Sequence, residues 1–127
     1  MRYMLVDDNA PFLEASQTLL ATEGLEVVGT AATAAECVRA AAELDPDVIL
    51  VDVDLGSDSG LALATRLAHA PAGWAVILMS TRSAEDVEEL VADSGALGFI
   101  AKSELSRDAV EAIVRRFRRL DERRRPA

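Results

Sequence analysis

Apolar residues gather in short runs at residues 3–6, 25–28, 48–51, 75–79 and 97–101. Most of these runs lack strict alternation of apolar and polar positions, which is the pattern of strands covered on both faces. The segments between them carry helical spacing instead. Pro11 suits the first position of a helix, with Asn9 or Ala10 ahead of it, and Phe12, Ala15, Leu19 and Leu20 supply one apolar stripe. Thr33 caps an alanine-rich helix that runs to Leu44 and is closed by Asp45-Pro46. Ser59-Gly60 opens a third helix, through His69, which Pro71 ends. Ser83 with Asp86 three residues on is a near-capping-box start, and Val87, Leu90 and Val91 form the stripe that follows. Ser106 caps the last helix, where Val110, Ile113, Val114 and Phe117 stand at i, i+3, i+4 and i+7.

Five strand–helix units in succession predict an α/β fold: a five-stranded parallel sheet, doubly wound, with five helices on its two faces. Five strands with one switch point fit the flavodoxin-like order 2-1-3-4-5 better than a six-stranded arrangement. Ligand sites in such sheets lie at the carboxyl ends of the strands beside the switch point, here between the first and third strands.

Size and charge narrow the setting. At 127 residues and 13.6 kDa the chain is one domain, with residues 1–120 as the folded unit and 121–127 as a basic tail or the start of a linker. Half the residues are apolar and the mean hydropathy is +0.16, which excludes intrinsic disorder. The net charge of −9 and the pI near 4.5 count against a nucleic-acid or anionic-membrane binder. No apolar run reaches about 18 residues, as a transmembrane helix requires, and the N-terminus turns acidic at Asp7 too soon for a signal peptide. A cytoplasmic domain is therefore expected. Cys37 is the only cysteine, which excludes an internal disulfide and a cysteine zinc site. Residues 1–114 hold 20 acids and 6 bases, whereas residues 115–127 hold 2 acids and 7 arginines. Lys102 is the only lysine.

The first strand ends in Asp7-Asp8, the third in Asp52, the fourth in Ser80-Thr81, and the fifth runs into Lys102. The first and third strands are neighbours about 4.8 Å apart, so three carboxylates converge on one crevice. Left uncompensated they would repel one another and raise each other's pKa values. A hard divalent cation removes that cost, and an all-oxygen set suits Mg²⁺. Ser80 offers a hydroxyl donor and Lys102 a point positive charge. Carboxylates, a metal, a hydroxyl and a lysine around one crevice are what phosphoryl transfer to an oxygen nucleophile needs, with Asp52 the most central carboxylate. Taken singly, each of these acids reads as a solvated loop residue or a helix cap; it is the match of five positions in strand order, with Lys102 the only lysine, that points to a site.

The stretches Leu5-Val6-Asp7-Asp8-Asn9, Pro46 to Leu55 around Asp52, Ile77-Leu78-Met79-Ser80 and Gly95 to Lys102 together resemble the receiver domains of two-component response regulators. The resemblance covers residues 1 to about 120 and extends to receivers joined to NarL/LuxR-type helix-turn-helix domains. It implies that Asp52 accepts a phosphoryl group from the phosphohistidine of a sensor histidine kinase or phosphotransfer protein. It implies that Asp7, Asp8, the Asp52 carboxylate and the Asp54 backbone carbonyl hold Mg²⁺, and that Ser80 and Lys102 bind phosphoryl oxygens. Phe99 stands at the aromatic switch position, turning inward as Ser80 moves; on its own it reads as a strand-end core residue. The implied outcome is a change in homodimerisation or partner binding through the fourth helix, fifth strand and fifth helix, with control of transcription through an output domain outside these residues. No turnover enzyme is implied, nor contact with membrane, nor with nucleic acid by this domain alone.

Three positions depart from the family pattern. Leu55-Gly56 stands where Leu-Pro is common, Ser103 rather than proline follows Lys102, and Thr81 follows Ser80 where a smaller residue leaves more room. Asp54 and Arg82 each lie two residues beyond a strand-end reacting group, and with Thr81 they form an expected rim that tunes access of water. Two other functions compete with the switch. One is a phosphorylation-independent module on the same fold, against which the intact acidic pair, Asp52, Ser80 and Lys102 all count. The other is a phosphatase of the haloacid-dehalogenase type, suggested by Asp52-Val53-Asp54 but opposed by the leading position of Asp7-Asp8. His69 reads as a surface histidine, Cys37 as a small packed residue and Trp74 as an edge residue of the fourth strand. The terminal arginines have three readings: a solvated helix end, a linker, or an electrostatic contact.

Overall fold

The computed structural model describes the backbone of residues 1–124 and the side chains of residues 1–83 and 85–116. Expectations that fall on the side chains of Phe117 and the arginines after it lie outside the described residues. In chain order the elements are β1 (Arg2–Val6), α1 (Ala10–Thr22), β2 (Glu26–Ala31), α2 (Ala34–Leu44), β3 (Val48–Asp52), β4 (Asp54–Leu55), β5 (Asp58–Ser59), α3 (Gly60–Ala68), β6 (Ala75–Ser80), α4 (Ala84–Ser94), β7 (Gly98–Ala101) and α5 (Arg107–Arg124). A single 3-10 turn, Lys102–Glu104, joins β7 to the last helix. The main sheet is parallel in the order β2-β1-β3-β6-β7, which is the expected 2-1-3-4-5 once the two short strands are set aside. Those two, β4 and β5, form a small antiparallel hairpin that the sequence pattern did not reveal.

Each strand sends alternate side chains to opposite faces, and both faces are covered. Met4, Val6, Ile49, Val51, Val76 and Leu78 join Cys37, Leu63 and Leu67 in one core layer. Tyr3, Leu5, Val48, Leu50, Ile77 and Met79 join Leu20, Val110 and Val114 in the other. Each fully buried aliphatic side chain of this kind contributes about 1.5–3 kcal/mol, which is why β3 and β6 tolerate no polar position before their last residue.

The predicted caps form largely as read. Asn9 Oδ1 accepts from the Phe12 N–H, Thr33 Oγ1 from the Glu36 N–H, Ser59 Oγ from the Ala62 N–H and Ser106 Oγ from the Ala109 N–H, all at 3.0–3.2 Å. Pro11 takes the second helical position rather than the first, where its missing N–H is equally harmless because first-turn donors have no intrahelical partner. Ser83 departs from expectation: its hydroxyl bonds the Asp86 carboxylate at 2.9 Å and caps no backbone group. The second strand starts one residue later than predicted and runs to Ala31. Leu25 is consumed in closing α1, its N–H reaching the Leu20 carbonyl at 2.9 Å around the left-handed Gly24. Two stripes are less buried than their spacing suggested. Leu19 and Leu90 stay about two-fifths exposed, whereas Leu20 and Val87 of the same stripes are buried, and Ser16, outside the α1 stripe, is buried with them. The helix opened by Gly60 ends at Ala68, with His69 as its cap, and Trp74 precedes β6, its indole N–H on Asp45 Oδ1 at 3.1 Å. Among the described residues no helix is long and apolar enough to cross a membrane.

Candidate functional site

The register between β1 and β3 pairs Val6 with Val51, so the residues that follow, Asp7 and Asp52, emerge side by side at the carboxyl edge of the sheet. Asp7 is wholly buried, Asp52 nearly so, and Asp8 is exposed at the crevice mouth. Carboxylate oxygens of Asp7, Asp8 and Asp52 all lie within 4.8 Å of one another, the acidic cluster anticipated from the strand ends. Each buried acid keeps one oxygen on the backbone: Asp7 Oδ1 accepts from the Asn9 N–H at 2.9 Å, and Asp52 Oδ1 from the Asp54 N–H at 3.1 Å.

Their other oxygens face one cation. Lys102 Nζ lies 2.6 Å from Asp7 Oδ2 and 3.1 Å from Asp52 Oδ2, with only 13% of its side chain exposed. Asp7 Oδ2 accepts no hydrogen bond of regular geometry, so the ion pair with Lys102 is what compensates it. Burial pushes the Asp52 carboxyl above its ordinary pKa, and the charge of Asp7 adds to that; the Asp54 N–H and Lys102 offset it only in part. Burial also works against the charge on Lys102, yet the hydrogen bonds and charges of Asp7 and Asp52 outweigh it and hold that pKa above the ordinary lysine value.

Ser80 is the last residue of β6 and pairs with Ala101, the residue before Lys102, so hydroxyl and ammonium come from adjacent strand ends. Ser80 is fully buried, and its Oγ accepts the Arg82 N–H at 3.0 Å. Thr81 is exposed beside it. With Arg82, Phe99, Ala101, Ser103 and Glu104 it lines a groove of about 350 Å³. Arg82 Nη2 meets Asp54 Oδ1 at 3.4 Å across the mouth, both side chains at least half exposed, so the expected rim pair is formed. Phe99 is half-buried and packs against the core layer that holds Val91.

Glycines fix two close approaches. A Cβ at Gly60 would lie 1.8 Å from the Asp52 carbonyl oxygen, so the first turn of α3 rests directly on the end of β3. Gly56, at φ +59°, carries the β4–β5 hairpin over Asp8, where a Cβ would fall 2.9 Å from Asp8 Oδ2. That explains the departure from proline in this loop. Sequence reasoning missed the role of Gly60, because nothing in a local pattern reports an approach between a helix start and a strand end eight residues earlier. It also missed that Phe12, read as part of a core stripe, sets its ring 4.4 Å from Lys102 Nζ.

The oxygen donors suit a hard divalent cation. Two buried carboxylates and one exposed carboxylate present oxygens at close quarters, and Asp7 Oδ2 has no regular hydrogen-bond donor of its own. His69 and Cys37 are not brought to the crevice. His69 Nδ1 lies 2.8 Å from the Thr65 carbonyl in its own helix. Cys37 lies on the buried face of α2, and burial pushes its thiol up to about 12, so it stays protonated and inert.

The family model "Response regulator receiver domain" matches residues 3–115. Response regulator GacA of Pseudomonas aeruginosa is 29% identical over 114 residues, which are 89% of this chain and 53% of that protein. Transcriptional regulatory protein LiaR of Bacillus subtilis is 29% identical over 120 residues, 89% of this chain and 54% of that protein. The chain thus spans about half the length of these curated relatives. A CheY-like response regulator receiver domain protein from Methanospirillum hungatei shares the fold at a TM-score of 0.78 and 24% identity, covering 96% of this chain and 97% of the other. A response regulator from Desulfuromonas acetoxidans is 30% identical at a TM-score of 0.74, covering 94% and 97%. The chain belongs to this family, the response regulator receiver domains of two-component signalling systems.

Proposed function

We propose that the chain is a phosphorylation-dependent switch in which Asp52 is the phosphoacceptor. The observation that carries this reading is the buried trio of Asp7, Asp52 and Lys102 with Asp8 at its mouth. In the step itself, a carboxylate oxygen of Asp52 attacks the phosphorus of a phosphohistidine on a sensor histidine kinase or phosphotransfer protein. An O–P bond forms, the P–N bond breaks, and the nitrogen keeps the electron pair in its imidazole. Asp7, Asp8 and Asp52, with the Asp54 carbonyl, would hold Mg²⁺, which would supply neutralising charge for the phosphoryl oxygens. Lys102 adds a second positive charge. Ser80, whose oxygen already accepts from Arg82, has its hydroxyl proton to donate to a phosphoryl oxygen.

Ser80 and Phe99 act as the switch pair. A hydroxyl drawn toward the phosphoryl group frees space into which the half-buried Phe99 turns, which reshapes the face made by α4, β7 and α5 and so alters homodimerisation or partner binding. Residues 1–120 form the receiver and 121–127 a tail or linker start. The switch acts in the cytoplasm without contacting membrane or nucleic acid itself, and it performs one transfer per cycle rather than enzymatic turnover. Control of transcription through a separate output domain is supported by relatives named as DNA-binding transcriptional activator EvgA and Transcriptional regulatory protein LiaR. The Asp54–Arg82 pair and Thr81 narrow the mouth against water and lengthen phosphoryl lifetime; Arg82→Ala is expected to hasten dephosphorylation, and an unchanged rate would remove that role.

Intact mass after incubation with acetyl phosphate and Mg²⁺ tests the switch. The expected result is one adduct of about 80 Da, a single phosphoryl group, that needs Mg²⁺ and is absent in Asp52→Asn. No adduct on protein that binds Mg²⁺, or an adduct that survives in Asp52→Asn, would overturn it.

A further inference from the structure

Lys102 is held by more than its two carboxylates. Its ammonium lies over the face of the Phe12 ring, 4.4 Å from the centroid, within the range at which an aromatic quadrupole attracts a cation. Phe12 reaches that point because the entry of α1 is tied to the crevice: the Asn9 N–H bonds Asp7 Oδ1, and the Phe12 N–H bonds Asn9 Oδ1. The contacts therefore close on themselves, from Asp7 to Asn9 to Phe12 to Lys102 and back to Asp7. A lysine on a flexible four-carbon stem has many rotamers, and a ring on one side with carboxylates on the other leaves it few.

We propose that Phe12 is a positioning residue, whose ring pre-aims the sole lysine of the chain at the place where phosphoryl oxygens arrive. This rests on the reading of Lys102 as the phosphoryl-binding cation. An aliphatic side chain in its place would fill the same half-buried space without attracting the ammonium, which separates positioning from packing.

Because Lys102 is the only lysine, its side-chain amine can be followed directly. Metal-free wild type, Phe12→Leu and Phe12→Tyr would be acetylated with an N-hydroxysuccinimide ester, and modification at Lys102 read by peptide mass. Phosphoryl uptake from acetyl phosphate with Mg²⁺ would be timed on the same samples. Phe12→Leu is expected to speed acetylation of Lys102 by about two- to tenfold and to slow phosphoryl uptake by a similar factor, the range that a cation–π contact is worth. Phe12→Tyr, which keeps the ring, should stay within about twofold of wild type in both. Acetylation of Phe12→Leu at the wild-type rate, or a Phe12→Tyr change as large as that of Phe12→Leu, would overturn the proposal. Circular dichroism accompanies each variant, and Phe12→Met replaces Phe12→Leu if the latter is not folded. A wild type that takes no phosphoryl group would sink the acceptor reading, while the acetylation rates would still decide the role of Phe12.

Discussion

Two three-membered charge clusters sit in this domain with opposite composition and opposite surroundings. At the crevice, one lysine lies between two acids, Asp7 and Asp52, all largely buried. On α5, one acid lies between two arginines: Glu111 meets Arg107 at 3.0 Å and Arg115 at 3.4 Å, with both arginine side chains about half exposed or more. The distances are alike, yet the clusters differ in what their removal leaves behind. An exposed ion that loses its partner is rehydrated, whereas a buried one is left with its desolvation cost uncompensated. The crevice is a poised site because its charges cannot fall back on water.

Taking away the central ion of each cluster tests that contrast most directly. Lys102→Met leaves two like charges buried together, and urea unfolding at pH 7 without divalent metal should show a loss of about 3 kcal/mol. Adding Mg²⁺ should restore part of it, because a bound cation stabilises the folded state alone. A loss that persists unchanged across a wide range of Mg²⁺ concentration would break the link between the acids and the metal.

Asp52→Asn sharpens the comparison from the other side. Asp52 has its pKa raised in the fold, so its ionised form is disfavoured there, and the neutral amide should stabilise the metal-free protein at pH 7. The sign of the pH dependence follows. Wild type loses stability relative to the variant as pH climbs from the ordinary aspartate value near 3.8 through the raised folded value, and the gap is constant above that. A gap that shrinks with rising pH would contradict it.

Glu111→Gln is the smallest of the three. Glu111 is stabilised as the anion by its hydrogen bond to Arg107, so its contribution is present above the ordinary glutamate value of 4.5 and lost as pH falls through the lower folded value. Its removal should shift the urea midpoint within experimental error, and 1 M salt should erase any difference while leaving the Lys102→Met loss in place.

Much of this was legible in the residues. Asp7, Asp8, Asp52, Ser80 and Lys102 each end a strand, and strand ends are where an open parallel sheet gathers its site. The sheet order followed from the strand–helix count. What stayed hidden depends on which surface covers which. Helical spacing marks Leu19 and Leu20, and Val87 and Leu90, alike as stripe residues, but only packing decides that Leu20 and Val87 reach the core while Leu19 and Leu90 stay out and the polar Ser16 goes in. The β4–β5 hairpin is two residues a side, too short to leave a period. Glu23 and Arg107 stand 84 positions apart, yet each satisfies the other's helix end: the Arg107 N–H reaches Glu23 Oε1, and its guanidinium reaches the Glu23 carbonyl at 2.8 Å. No local pattern announces a cap supplied from the far end of the chain.

The contact of Gly60 with the Asp52 carbonyl gives Asp52 a fixed datum. The strand end that carries its carboxylate is backed by the first turn of α3. Position 60 is thereby closed to every residue but glycine, and an alanine there would have to push the Asp52 backbone aside while leaving the side chains of Asp7, Asp8, Ser80 and Lys102 unchanged.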